Sequence, residues 1–287
     1  MLQKAVRRGF TQIVDQALVR LETSGDKTWL RSRAIVITFE ECWPLAESLF
    51  IDRDSSSKRR ALLNVAKAFK QKDAAGLGAL AHAYREGDRS MFDCIPDQHI
   101  LRIVSEALQR PAAFFEWVLG QSRSEESRNV IRAAQQYLPA ATWQWDKACI
   151  MAGALLATIG DMPTIEPAGT PSEEFPYWVA LDKHTPQGKL ALREIARQVN
   201  TSYRRLIWAS FYFESARVNS LLSSPWWDAE RTWRLRRAGL SLESTEELWD
   251  RARFLVRQRL EAEAASLKKL VDAVPSPYAI PTQNKLL

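Results

Sequence analysis

The chain has 287 residues, of which 46% are hydrophobic and 26% charged, and it carries a net charge of +6. That length supports a sizeable core in one large or two moderate domains, and the balance of apolar and charged residues is that of a soluble globular protein. No apolar run reaches membrane-spanning length, the best being Ala148 to Ile159, and no apolar stretch follows the first basic residues as in a secretory signal.

Only 11 residues are glycine, and Ala, Leu, Arg and Glu are abundant, which favours helices over sheets. Eleven tryptophans are expected in the core or at helix contacts, where their large area is best buried. Cys42, Cys94 and Cys149 lie far apart. Such a set forms no disulfide framework and lacks the close pairing of a zinc site, so a reducing, cytoplasmic setting is expected.

In chain order, Val6, Phe10, Ile13, Val14, Ala17, Leu18 and Leu21 trace one apolar helical stripe. Gly25 is read as its end and Asp26 as the N-cap of the next helix. That helix holds Trp29, Leu30, Ala34, Ile35, Ile37 and Phe39; its β-branched run reads locally as strand, but its flanks argue for helix. Asp52 to Arg60 reads as a polar loop. Short helices are expected over Leu62 to Phe69, Ala74 to Tyr84, and His99 to Leu108, the last with Asp97 as cap. Ser122 with Glu125 reads as a capping box for a helix reaching Tyr137, and Pro139 opens another running to about Thr158.

Gly160 to Pro176 holds four prolines and no apolar period, so it is read as a linker. Helices follow over Pro186 to Val199, Ser202 to Leu222, Pro225 to Ala238, and Thr245 to Ala273, with Ser244 and Glu247 as a second capping box. The expected organisation is all-α: a multi-helix bundle with a helical subdomain over 1–159, the linker 160–176, a second Arg/Trp-rich subdomain over 177–274, and a tail over 275–287 without fixed structure.

One stretch carries more than a secondary-structure signal. Lys4, Ala5, Val6 and Arg7 open the chain, Gly25 and Asp26 mark a turn, and Arg31, Arg33, Glu40 and Glu41 follow. This pattern, Leu2 to Ala46, resembles the C-terminal helical region of MgsA/RarA-type replication-associated AAA+ ATPases. There a basic helix leads through a Gly-Asp turn to a helix ending in an acidic pair. The resemblance implies a collar-like, clamp-loader-like helical region that forms oligomers and works with a DNA-acting motor. After the acidic pair this chain has Cys42-Trp43-Pro44 where the family has Gly, and the family's later Ala-Pro-Lys-Ser-Asn segment is absent. No Gly-x-x-x-x-Gly-Lys-Ser/Thr loop occurs, and Gly76-Leu77-Gly78 is too short for a dinucleotide fingerprint, so neither an ATPase activity nor a cofactor is expected.

Three groups of residues are candidate sites. Lys183, His184, Thr185, Gly188 and Lys189 gather at a helix start, with Thr185 as cap and Pro186 in the first turn; a helix N-terminus favours phosphate, and the competing reading is a well-capped helix with solvated lysines. Asp182 beside His184 has no nucleophile motif near it. Arg231, Arg234, Arg237, Arg253 and Arg257 lie on two Arg-rich helices and are read either as DNA phosphate contacts or as a solvated, internally paired face. Gln283, Leu286 and Leu287 resemble the Gln-x-x-Leu-Leu peptides that dock in bacterial sliding clamps, or belong to an unstructured tail. One of Glu40 and Glu41 is expected to pair with an arginine such as Arg33 or Arg204. The function these features point to is a non-catalytic DNA replication or repair accessory protein that forms homo-oligomers and binds DNA, an AAA+ ATPase or a sliding clamp. The alternative is a helical protein-interaction scaffold with no nucleic-acid role.

Overall fold

The computed structural model describes residues 1–23, 27–51, 55–169, 171, 177–218 and 220–273. It is an all-α, multi-helix bundle. The turn at Gly25-Asp26 and the tail that holds Gln283, Leu286 and Leu287 lie outside the described residues.

The first apolar stripe is two helices, α1 (Leu2–Arg8) and α2 (Thr11–Thr23), not one. Gly9 breaks it in the left-handed region, at φ 79°. The Gly9 N–H returns to the Val6 carbonyl (3.2 Å) and the Phe10 N–H to that of Ala5 (3.0 Å), the bonding of a Schellman cap. The stripe stays on one side through the bend, and Val6, Phe10, Ile13, Val14, Ala17 and Leu18 are all buried. The β-branched run is helical, within α3 (Lys27–Cys42). Ala34, Ile35, Val36, Ile37 and Phe39 are buried on every side of it, so the run marks a central helix.

A short 3-10 turn, Trp43–Ala46, leads to α4 (Glu47–Ile51) and α5 (Ser55–Lys67). The expected polar loop over Asp52 to Arg60 is therefore corrected from Ser55 onward. Ala61, Leu62, Val65 and Ala66 are buried, and that packing outweighs the weak propensity of the serines at the helix start. Residues 68–71 then run extended, bridging to other segments of the chain. Their backbone bonds to Glu166, Ser220, Glu41 and Leu222 tie the 160–168 segment and the 220–222 turn to the first half of the chain.

Next come α6 (Asp73–Arg85), α7 (Gln98–Ala107), α8 (Pro111–Gln121), α9 (Glu125–Tyr137) and α10 (Gln144–Leu156). Asp97 caps α7 as expected, accepting from the His99 and Ile100 N–H groups. The α9 cap is Ser124, which accepts from the Ser127 N–H, in place of a Ser122–Glu125 box. Pro139 sits in a 3-10 turn, Leu138–Ala140, and α10 starts beyond it. α8 was not expected from the sequence.

The second half holds α11 (Pro186–Gln198), α12 (Tyr203–Ser210), α13 (Pro225–Arg237), α14 (Leu242–Arg259) and α15 (Glu261–Asp272). α12 ends in a single π turn, Phe211–Ser215, short of the expected Leu222. The α14 capping box is formed by Ser241 with Ser244, three residues ahead of the expected one. None of the described helices is long and apolar enough to cross a membrane.

α6 lies between α10 and α13, so helices from both sides of the 160–176 segment share it. The largest core cluster runs from Ile35 to Ala264 and draws on both halves. A smaller cluster joins α1, α2 and α5 to Trp178 and Val179. The segment thus separates two stretches of chain that contribute to common cores. Six tryptophans (Trp43, Trp178, Trp226, Trp227, Trp233 and Trp249) are buried as expected. Trp117 and Trp143 are exposed, the latter by 72%. The three cysteines are free.

Candidate functional site

A cavity of about 480 Å³ opens where α1 and α3 meet the start of α6, the turn before α11, the π turn after α12, and α13. Its volume falls in the range of sites that take small organic ligands, about 300–1,000 Å³.

The floor is a buried ion network. Arg7 donates to Glu41 Oε1 through Nε (2.9 Å) and a terminal nitrogen (2.7 Å), and to the Ser215 carbonyl (2.7 Å). Lys72 holds the other Glu41 oxygen at 3.0 Å. Burial alone would raise the Glu41 pKa, but Arg7 and Lys72 overturn that and hold it at about 2. Glu40, one residue before, makes no ion pair among the described residues, though the charges of Lys72, Arg7 and Arg33 reach it. It accepts from the Gln3 amide, and burial lifts its carboxyl above the usual range. Lys4 is spent on the Leu181 carbonyl and on Asp182, 3.7 Å away, and burial lowers its pKa to about 8. Arg33 pairs with Asp146 at 2.8 Å. Both expected partners of the acidic pair are therefore corrected: the arginine is Arg7, which α1 brings in from 34 residues away.

The wall is aromatic. Trp208 stacks on Tyr212 at 5.9 Å and meets Phe211 edge-on at 5.7 Å; Tyr212 in turn meets Trp227 at 5.9 Å. The π turn sets Phe211 and Tyr212 in this array, and such turns recur at binding sites. Two cations face Trp208. The Lys183 ammonium lies 4.2 Å from its ring and 4.4 Å from Phe211. The Arg234 guanidinium lies 5.0 Å from both Trp208 and Trp145. Glu230 accepts from Arg234 and from the Tyr212 hydroxyl (2.7 Å). Burial first, then the charge of Arg234, lowers the Lys183 pKa to about 8. Trp143 and Trp145 stand at the rim.

The residues expected to bind phosphate divide. Lys183 and His184 line the cavity. Thr185 is the cap, accepting from the Gly188 N–H at 3.1 Å. Gly188 makes room for the Asp182 carbonyl: a Cβ there would lie 1.9 Å from it. Lys189 is exposed and away from the cavity. Asp182 and His184 meet through the His184 backbone N–H (2.8 Å), which is turn geometry and not a side-chain relay.

The five candidate DNA-binding arginines do not form one open face. Arg231 pairs with Asp228 (2.8 Å), Arg237 with Asp88 (2.7 Å) and Arg253 with Asp250 (3.4 Å). Arg257 is exposed on α14, and Arg234 is drawn inward to the cavity. The helical period of α13 separates Arg234 from Arg231 and Arg237, but only packing against Trp145 and Trp208 makes it a cavity residue. The sequence reading missed Lys72, Trp145 and Trp208 altogether. A lone Lys or Trp carries no local signal, and these come from separate elements.

Six Lys and Arg side chains line the cavity. The carboxylates that line it or pair with them, Glu40, Glu41, Asp146, Asp182 and Glu230, are one fewer than the cations. Among the described residues no group of three His, Cys, Asp or Glu side chains converges as metal ligands do. No protein family, curated protein or solved structure matches the chain.

Proposed function

We propose that the chain is a non-catalytic nucleic-acid-binding accessory protein of DNA replication or repair, and that single-stranded DNA enters at the cavity between α1, α12 and α13. The observation that carries this reading is the joining of an excess of cations to an aromatic wall in one cavity. Cations track phosphates, and exposed rings stack on unpaired bases whatever their identity. The resemblance of Leu2 to Ala46 to the MgsA/RarA-type helical region supports the same setting. Lys4, Arg7, Arg33 and Glu40 of that pattern line the cavity. Association with copies of itself or with a separate AAA+ ATPase is part of this proposal.

The test is binding of a short single-stranded oligonucleotide at several salt concentrations. Affinity is expected to fall steeply with salt and to depend little on base sequence. Replacing Arg231 and Arg237 by Ala, outside the cavity, should weaken binding only modestly, while Lys183→Gln should weaken it strongly. A wild-type chain that binds no DNA at low salt sinks the proposal and leaves the protein-interaction scaffold as the better reading.

A further inference from the structure

The aromatic wall and the charge excess point to more than a strand passing by. Lys183 is half-buried, and its ammonium faces two rings with no carboxylate at ion-pairing distance among the described residues. After burial, the charge that weighs most on it is another cation, Arg234, whose guanidinium lies 5.0 Å from the same Trp208 ring. Two cations face one indole; Glu230 is held by Arg234 and the Tyr212 hydroxyl, and Asp182 by Lys4, so neither carboxylate is left for Lys183 alone. The remaining cations of the floor are already committed to Glu41, Asp146 and Asp182.

At the rim, Trp143 is 72% exposed although it lines the cavity. A tryptophan of that exposure contributes little to the core. Beside a cationic pocket it offers a flat face on which a base stacks.

We propose that the cavity binds a nucleoside monophosphate group, its phosphomonoester between Lys183 and Arg234 and its base on Trp143. This rests on the nucleic-acid reading above and narrows it. The group belongs either to a free nucleotide or to the phosphorylated end of a strand. A phosphomonoester carries a charge of about −1.5 to −2 at neutral pH and an internal phosphodiester only one, so the monoester gains more from two cations facing one ring. The cavity is partly enclosed and sized for one such group, so a strand end fits it better than a strand running through. The lowered pKa of Lys183 agrees with a site that gains an anion on binding, since an anion restores the charged form.

Titrations followed by tryptophan fluorescence test this with deoxyadenosine monophosphate, deoxyadenosine, inorganic phosphate, and one oligonucleotide with and without a terminal phosphate. The monophosphate is expected to bind at least about tenfold more tightly than deoxyadenosine, the effect of one added charge-assisted contact. The phosphorylated oligonucleotide should exceed its hydroxyl counterpart by a similar factor and be displaced by the monophosphate. Lys183→Gln should abolish both differences. Trp143→Ala, at an exposed position where folding is not at stake, should weaken the monophosphate and leave inorganic phosphate unchanged. Equal binding of the two oligonucleotides, with no monophosphate binding, overturns this inference and leaves the DNA-binding proposal standing. Binding of the free monophosphate but of neither oligonucleotide supports the cavity assignment and overturns the DNA role. Binding of none of the probes overturns both.

Discussion

Glu41 has no exposed surface and accepts from both Arg7 and Lys72, so three charged groups share one dry environment. Assembling such a group costs desolvation, and it persists because each charge answers another. Removing one member leaves the others unanswered. Glu41→Gln should therefore lower stability by about 3–5 kcal/mol, measured by urea unfolding, and a loss below about 1 kcal/mol would show the network to be structurally idle. The pH dependence follows in sign. The folded Glu41 pKa, about 2, lies below its ordinary value of 4.5, so the protein binds fewer protons here folded than unfolded. The stability this confers is present above pH 4.5 and is lost as pH falls towards 2, and the Gln variant should lose that slope. The Lys183 pKa is also lowered, but for an ammonium that disfavours the charged form. Burial, and then the charge of Arg234, lowers it to about 8 against the opposing pull of Glu230 and Asp182, which leaves Lys183 charged at neutral pH. Affinity for an anionic ligand should fall as pH rises through about 8, and a flat profile from pH 7 to 9 would remove Lys183 from the binding site.

At the scale of elements, α6 is the hinge of the packing because it is thin on two sides. A Cβ on Gly76 would lie 2.3 Å from the Trp226 backbone at the start of α13, and one on Gly78 would lie 2.5 Å from the Cys149 nitrogen in α10. Those glycines, unreadable as a ligand motif, let two helices approach the third at backbone contact. Asp73 adds to the same junction, accepting from the Trp226 N–H at 2.8 Å. Gly76→Ala and Gly78→Ala should each cost about 1–3 kcal/mol, since the obstructing atoms are backbone and the helices must shift. Gly120, near the end of α8, meets nothing within 4 Å of its built Cβ. There the same change should stabilise by up to about 1 kcal/mol, through helix propensity alone. Thermal melts of the three variants check both signs, and a destabilised Gly120→Ala or a neutral Gly78→Ala would contradict the packing account.

For the whole molecule, the shared core has a consequence for unfolding. Ile35, Leu80, Ile150, Trp227 and Trp249 belong to one cluster, though the 160–176 segment divides them in sequence. Unfolding followed by circular dichroism and by tryptophan fluorescence should give coincident transitions, because neither half keeps its core without the other. Two separated transitions would show independent subdomains. The all-α class was legible in the chain because helical period and helix-forming composition are local properties that repeat along it. The caps at Asp97 and Thr185 were legible for the same reason, each lying within three residues of the group it serves. Gly9 carries no sequence signal of a break, because the apolar period runs unbroken across it, and only the turn of α1 against α2 reveals the left-handed backbone. The candidate site was legible only in fragments: Lys183 and His184 from a helix start, Arg234 from an Arg-rich run, Glu40 and Glu41 from an acidic pair. What joins them to Arg7, Lys72, Trp143, Trp145 and Trp208 is long-range packing, and no window along the chain contains it. The sequence by itself determined the all-α class and the approximate place of most helices, through interactions a few residues in range. The tertiary structure alone decided which charges lost their water and which rings they met, because desolvation depends on what other elements place around a side chain.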